Sequence, residues 1–284
     1  MKTRAAPTRN SPTARATSPW CETCAAAWRR SNKREAHLKR GELIWAVIGL
    51  LLVWQVSAML LNLPILPAPL TVGQTFVQEL VRGKLLEHLL ASLWRVAAST
   101  VLAVLTAAPA GLLLGQSARL NRIFSPLIYL LYPVPKVVLV PIVLLFFGIG
   151  DFPKIIIIFL VLFFQILVLV RDQAAAIRPE LIQSVRSLGA GRRGLFRFVY
   201  LPASLPAILT ALRQSVGTAV AVLYVAELFA TQRGLGYYIY LNGSTLFNYP
   251  AMYAGIVALS LMGLGLYFGV DWLERRLCPW QTAH

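Results

Sequence analysis

From Leu43 to Leu61 no residue is charged, and five further apolar runs follow, over Leu85–Gly115, Ser125–Phe147, Lys154–Val170, Ala203–Ala230 and Ala251–Val270. Runs of about 17–25 predominantly apolar residues are what a helix needs to cross the hydrocarbon of a bilayer. Inside lipid, backbone N–H and C=O groups find no water, so each segment must satisfy its own, and a helix does that. The pattern predicts an all-α, polytopic membrane helix bundle of about six transmembrane helices. Composition agrees, with 57% hydrophobic and 13% charged residues and a mean hydropathy of +0.66, outside the range of ordinary soluble domains.

The basic residues give the orientation. A net charge of +16 raises nucleic acid as a partner, but the placement of the charges excludes it, because they lie in the N-terminal tail and between spans. With the N-terminus inside and six crossings, the inner side holds the ten Lys and Arg of residues 1–41, Arg119 and Arg122, six from Arg171 to Arg197, and Arg275 and Arg276. The outer side holds Arg82, Lys84, Lys154 and Arg233, and Arg95, Lys136 and Arg213 fall within spans. Both termini are therefore expected in the cytoplasm, in a multi-pass protein of the cytoplasmic membrane with lipid around it. Four regions follow. They are a basic, disordered tail at 1–41, the first span with an outer amphipathic segment at 42–84, a core at 85–276 with its cytoplasmic loop at 171–203, and a C-terminal tail at 277–284.

Breakers divide the core. Pro64, Pro67 and Pro69 end the first span, and Thr71–Lys84 reads as a short amphipathic helix outside the membrane. Gly111 and Gly115, and again Gly265 and Gly269, are GxxxG pairs that permit close helix contact. Ser117–Phe124 reads as a short basic loop. Pro133, Pro135 and Pro141 each remove a helix hydrogen bond, so the third span is kinked or broken. Gly148-Ile149-Gly150-Asp151 is a tight turn, and Arg233–Tyr249 is an outer loop.

The loop between the fourth and fifth spans reads RPELIQSVRSLGAGRRGLFRFVYLPASLP over residues 178–206. Pro179 suits a first helical turn, and Glu180 suits its positive end. Leu181, Ile182, Val185 and Leu188 share one helical face, with Gln183, Arg186 and Ser187 on the other. Gly189-Ala190-Gly191 ends that helix. A second short helix interleaves Arg192, Arg193 and Arg197 with Leu195, Phe196 and Val199, and Leu201-Pro202 stops it. Two arginine-rich amphipathic helices folded at glycines lie on a membrane surface or grip a partner.

Gly189, Val199, Leu201 and Pro202 stand at the spacing that closes the EAA loop of ABC importer permeases, and the chain resembles that family. Gln183, Ser184 and Val185 stand where the family has Glu-Ala-Ala, a departure that bears on coupling. Ser92-Leu93-Trp94-Arg95, Tyr132-Pro133-Val134-Pro135-Lys136, Phe147-Gly148-Ile149-Gly150 and Arg186-Ser187-Leu188-Gly189-Ala190 narrow the resemblance to the nitrate/sulfonate/taurine-type permeases. Ala226-Glu227-Leu228, Gly234-Leu235-Gly236-Tyr237 and Leu277-Cys278-Pro279-Trp280 do the same, so the similarity covers residues 43–280. It implies the type I ABC importer permease fold, a pore formed with a second copy of the permease, two ATPase subunits at the cytoplasmic loop, and a periplasmic or lipid-anchored substrate-binding protein. It implies a small anion such as a sulfonate, taurine or nitrate as solute, although relatives with heterocyclic vitamin-precursor substrates exist.

No G-x-x-x-x-G-K-[ST] occurs, so ATP and Mg are expected on a partner ATPase and no cofactor on this chain. No catalytic constellation is visible either: His37, His88 and His284 are scattered and read as solvated or interfacial. Cys21 and Cys24 form a CxxC short of further ligands, so no metal site is expected. A secondary transporter or channel without an ATPase is the alternative, with the arginine loop as a bare positive-inside signal. Such proteins often carry inverted repeats and several intramembrane carboxylates, and here Glu227 is the one carboxylate well inside a span. On the fifth span Arg213, Gly217, Val220, Tyr224 and Glu227 share a face. Arg213 and Glu227 lie fourteen positions, about 21 Å, apart and cannot pair. In one reading Arg213 snorkels inward and Glu227 sits at the outer interface, each paired with a neighbouring helix. In the other, Arg213 with Lys136 attracts an anionic solute and Glu227 helps close an outer gate.

Overall fold

The computed structural model describes residues 40–229 and 231–279. Cys21, Cys24 and His37 of the basic tail, and Trp280 and His284 at the other end, lie outside the described residues. Among the described residues the structure is helical, with no strand. Helix α1 (Arg40–Leu61) makes up one compact unit ending at Leu60; the chain from Leu61 onward forms the other.

The second unit opens with α2 (Pro69–Val81), where Pro69 enters at the first turn. Helix α3 (Leu85–Gln116) then packs lengthwise on α6 (Asp151–Ala175), the most extensive helix pairing in the molecule. Its sequence explains why. Ser99, Ala103, Ala107, Gly111 and Gly115 recur every fourth residue, a row of small side chains down one face. Against it lie Ile158, Leu162, Ile166 and Val170 of α6, all buried. A Cβ on Gly111 would come within 2.9 Å of the Leu167 carbonyl oxygen, and one on Gly115 within 2.5 Å of that of Arg171. Lipid offers no hydrophobic drive between helices, so this backbone-to-backbone packing is what joins them. Gly265 and Gly269 behave differently: a Cβ on either meets no atom of the described residues within 4 Å.

The residues read as a basic loop after α3 instead form helix α4 (Ala118–Leu131), because Ser117 caps it by accepting from the Leu120 N–H. Its apolar residues fall on one side, and Arg119 and Arg122 ride on it. The span is broken as expected. A turn of 3₁₀-helix at Lys136–Leu139 leads into α5 (Val140–Phe147), bent by 76° from α4. Among the described residues five helices are long and apolar enough to cross a membrane, six if this bent pair counts as one span.

Helix α7 (Pro179–Ser187) and the turn at Gly189 follow α6. The next segment departs from expectation. Helix α8 (Arg192–Leu195) passes through a π turn at Phe196–Tyr200 into α9 (Leu201–Leu228), so Leu201-Pro202 does not stop it. The wider π turn spreads the carbonyls ahead of Pro202 and makes room for its ring. Helix α11 (Tyr249–Leu277) closes the fold against α9 and α2.

The stretch expected to be an outer loop is also different. Residues Leu235–Tyr240 form helix α10, continued by a π turn at Leu241–Thr245, and Leu235, Tyr238, Ile239 and Asn242 are buried. Length explains the misreading, since a helix of six residues is too short to show a hydrophobic period.

Candidate functional site

Two clusters of paired charges stand out, one toward each end of the bundle. Helices α6 and α9 both join the α7–α8 segment, so Asp151 at the start of α6 and Glu227 at the close of α9 lie at the far end from it.

At that far end Glu227 is wholly buried, at 0% exposure. An isolated carboxylate there would be prohibitively costly, so its partners decide whether it is tolerated. The Ser92 hydroxyl reaches both carboxylate oxygens at 2.8 and 2.9 Å, Arg95 Nη1 donates at 2.6 Å, and the Gly236 N–H donates at 2.8 Å. Glycine is required around this carboxylate. Gly234 has φ +127°, and a Cβ there would run into the Glu227 carboxyl group and come within 2.6 Å of Arg95 Nη1. A Cβ on Gly236 would stand 2.7 Å from Glu227 Cβ. The Gly234-Leu235-Gly236 backbone thus folds directly onto α9, and α10 is held by what it wraps.

The same cluster ties α3 to the rest. Ser92 Oγ accepts from the Leu235 N–H at 2.8 Å, and His88 Nδ1 accepts from the Gly234 N–H at 3.0 Å. His88 is therefore a buried acceptor, which corrects its reading as solvated or interfacial. Tyr238 on α10 lies beside it, and burial together with the Glu79 carboxylate on α2 pushes its phenol up from the ordinary range. Arg95, at 2% exposure, continues outward: its Nη1 donates to the Arg233 carbonyl at 2.8 Å. Its Nε and Nη2 both reach Asp151 Oδ1, at 2.8 and 2.6 Å. One guanidinium thus spans two carboxylates and a carbonyl from three different elements.

Near the other end Arg213 pairs with Asp271 at 3.0 Å and Glu274 at 3.2 Å, both on α11. Beyond it, α7 carries no buried residue. Leu181 and Leu188 on its apolar side are exposed, Leu188 at 84%.

Residues 101–278 match the model of the "Binding-protein-dependent transport system inner membrane component" family. The chain belongs to this family. The permease is 34% identical to the taurine transport system permease protein TauC of Escherichia coli (strain K12), across 89% of this chain and 93% of that protein. It is 30% identical to the putative aliphatic sulfonates transport permease protein SsuC of Bacillus subtilis (strain 168), across 93% and 95%. Its fold matches a chain of the inward-facing MetNI methionine ABC transporter with a TM-score of 0.62 at 22% identity, covering 70% of this chain and 98% of that one. The permease is thus a multi-pass membrane protein of the ABC importer permease fold, and these relatives give no ground for a stand-alone secondary transporter or channel.

The structure distributes the residues singled out in the sequence as follows. In the permease Gln183, Ser184 and Gly189 are exposed at the α7 end and Val185 is half-buried. Gly189 has φ +83° with no atom of the described residues within 4 Å of its Cβ position, and its N–H donates to the Arg186 carbonyl at 2.9 Å, so the glycine serves the turn. Val199 is buried in the π turn, and Leu201 and Pro202 begin α9. Lys136 donates to the Leu131 and Tyr132 carbonyls at 2.9 and 2.6 Å and stands 4.6 Å over the Phe164 ring. Its ammonium thereby ties together two carbonyls at the break between α4 and α5, where the Leu131 carbonyl also accepts from the Val134 N–H at 3.3 Å. Arg213 and Glu227 do not pair with each other, as expected, and each has partners on other helices. Tyr224 is half-buried, and its carbonyl lies against Gly236. Arg95, Asp151, Lys154, Asp271 and Glu274 were given no role by sequence reasoning. Arg95 alone left a signal, as an arginine ten residues into a span, where a charge needs a partner.

Proposed function

We propose that the permease passes a small oxyanion, a sulfonate such as taurine or an inorganic anion such as nitrate, from an external binding protein across the cytoplasmic membrane by alternating access. Two copies form the pore, both termini face the cytoplasm, and two ATPase subunits drive it through the 171–203 loop. One observation carries the reading: the apolar side of α7 is only partly covered, with Leu181 and Leu188 exposed and Ile182 and Val185 half-buried, beside a turn whose Gly189 leaves its Cβ position open. An amphipathic helix outside the spans that leaves part of its apolar face open is a docking element for another protein. From it, α8, the π turn and α9 run on as one continuous helix, Arg193–Leu228. Movement at the docked end therefore reaches Glu227 at the far end through a single lever. Gln183, Ser184 and Val185 stand on this docking helix in place of Glu-Ala-Ala, with ATP and Mg bound on the partner.

The pathway roles of Lys136, Arg213, Tyr224 and Glu227 belong to the same proposal, with one narrowing. Arg213 is clasped by Asp271 and Glu274, so it acts as a joint between α9 and α11 that opens on the inner side. Glu227 holds the outer closure through Arg95 and α10.

The test is uptake of labelled taurine, methanesulfonate, nitrate and riboflavin by cells that express the permease with its ATPase and binding protein and lack transport of their own. Accumulation of an oxyanion that requires the ATPase is expected. Accumulation that persists without the ATPase would overturn the reading.

A further inference from the structure

Between the start of α6 and the turn leading to α10 lies a cavity of about 610 Å³, lined by Arg95, Ile149, Gly150, Asp151, Lys154, Thr231, Gln232 and Arg233. Its size is within the range of small-molecule sites. Of the four charged residues in its wall three are cations, and two of these are buried, Arg95 at 2% exposure and Lys154 also at 2%. Buried cations are tolerated where they are paired, and the pairing here is uneven. Arg233 reaches out of the cavity to Glu87 at 3.0 Å. The single hydrogen bond of Lys154 among the described residues goes to the Gly150 carbonyl at 2.9 Å, and no carboxylate lies within ion-pair distance of its ammonium.

The two carboxylates on Arg95 are not held alike. Glu227 is enclosed and accepts from Ser92 and Gly236 as well, whereas the Asp151 side chain is 51% exposed and Arg95 is its one partner across the cavity. Arg95 turns its Nε–Nη2 edge to Asp151, and both bonds end on the single oxygen Oδ1. That edge is the guanidinium fork suited to two parallel bonds with an oxyanion. Asp151 therefore occupies a two-oxygen seat with one oxygen, from a position open to solvent.

We propose that this cavity is an oxyanion-recognition site, in which a sulfonate or similar group takes the Nε–Nη2 edge of Arg95 from Asp151 while Lys154 holds it from the other side. Arrival of the anion is then an exchange: Asp151 swings to solvent, Arg95 keeps Glu227, and no charge is left buried without a partner. The exchange frees the start of α6 from Arg95, while the Nη1 bond of Arg95 to Glu227 is kept, so the anion and Asp151 compete for one edge of the guanidinium. This rests on the reading above that the solute is an oxyanion.

The site is tested on the full-length permease in membrane vesicles, without ATPase or binding protein, so that it is separable from the transport reading. Ile149, exposed in the cavity wall, is replaced by cysteine in a chain lacking Cys21, Cys24 and Cys278, and its reaction with N-ethylmaleimide, which is uncharged, is timed. Sodium methanesulfonate should slow labelling at least about threefold relative to sodium chloride of equal ionic strength. Lys154→Gln should abolish that protection and Lys154→Arg restore it. Asp151→Asn, which removes the competing carboxylate, should lower the half-protecting concentration roughly tenfold, as expected when an attraction of about 1.4 kcal/mol no longer has to be displaced. Equal protection in the parent and in Lys154→Gln, or none beyond chloride in the parent, would overturn the site even if taurine uptake were found. If protection holds while no oxyanion is taken up, the site stands and the transport reading is the one that fails.

Discussion

Replacing Arg95 by methionine isolates what holds the far end together. The side chain has similar length and keeps its packing, but four donor contacts go: one to Glu227, two to Asp151 and one to the Arg233 carbonyl. The Asp151 contacts count for little, because that carboxylate is half-exposed and returns to water; exposed pairs are worth about 0–1 kcal/mol. Glu227 has no such escape. Breaking a buried pair by removing one partner costs about 3–5 kcal/mol, mostly because the other charge stays buried. Ser92 and Gly236 remain on Glu227 and keep the loss at the lower end of that range. Glu227→Gln in the same background removes the stranded charge, so the double variant should recover about 0.5–3 kcal/mol of coupling, the range found for residues in direct contact. Equilibrium unfolding of purified permease in mixed micelles, followed by circular dichroism, measures all four corners of the cycle. Additive losses would refute the argument, since they would mean that neither residue feels the other's charge.

Three further outcomes follow from the packing and the proposed topology. Gly234→Ala forces a methyl group onto the Glu227 carboxyl group from a backbone at φ +127°, so it should destabilise by about 2 kcal/mol or more and speed proteolysis within residues 231–249. Gly115→Ala, with a Cβ 2.5 Å from the Arg171 carbonyl oxygen, should cost about 1–3 kcal/mol in the same unfolding assay, whereas Gly269→Ala, with open space around it, should cost nothing. In intact cells, and with the native cysteines removed, a cysteine at Ser187 should resist an impermeant thiol reagent and one at Ser244 should react; the reverse pattern would invert the proposed orientation.

The apolar runs made the spans legible because each stays apolar over about the length that crosses a bilayer, and breaks at Pro133, Pro135 and Gly189 followed from backbone chemistry alone. What was not legible depended on partners distant in sequence. Arg95 and Glu227 are separated by 132 positions, and neither residue announces the other. The glycines at 234 and 236 read as loop punctuation, although they serve the close approach of backbone to a buried carboxylate. Ser117 was read as part of a loop because one capping hydroxyl was not weighed against the basic residues after it. The Leu201-Pro202 stop failed for a related reason: proline forbids a regular α-turn, and the chain evades the rule with a π turn. GxxxG was read correctly at Gly111 but with equal weight at Gly265, and only the first lies against another helix of the second unit.

In the proposed function the α7–α9 lever couples a partner's ATP hydrolysis to movement at Glu227. The most direct measurement of that coupling is solute uptake and ATP hydrolysis in proteoliposomes that hold the permease with its ATPase and binding protein, comparing the parent with Gly189→Asp. An aspartate at φ +83° puts a side chain and a charge where the docked partner would lie. The variant should insert and fold but neither accumulate solute nor show solute-stimulated hydrolysis. Uptake by Gly189→Asp at the parent rate, with equal permease in the membrane, would contradict the coupling.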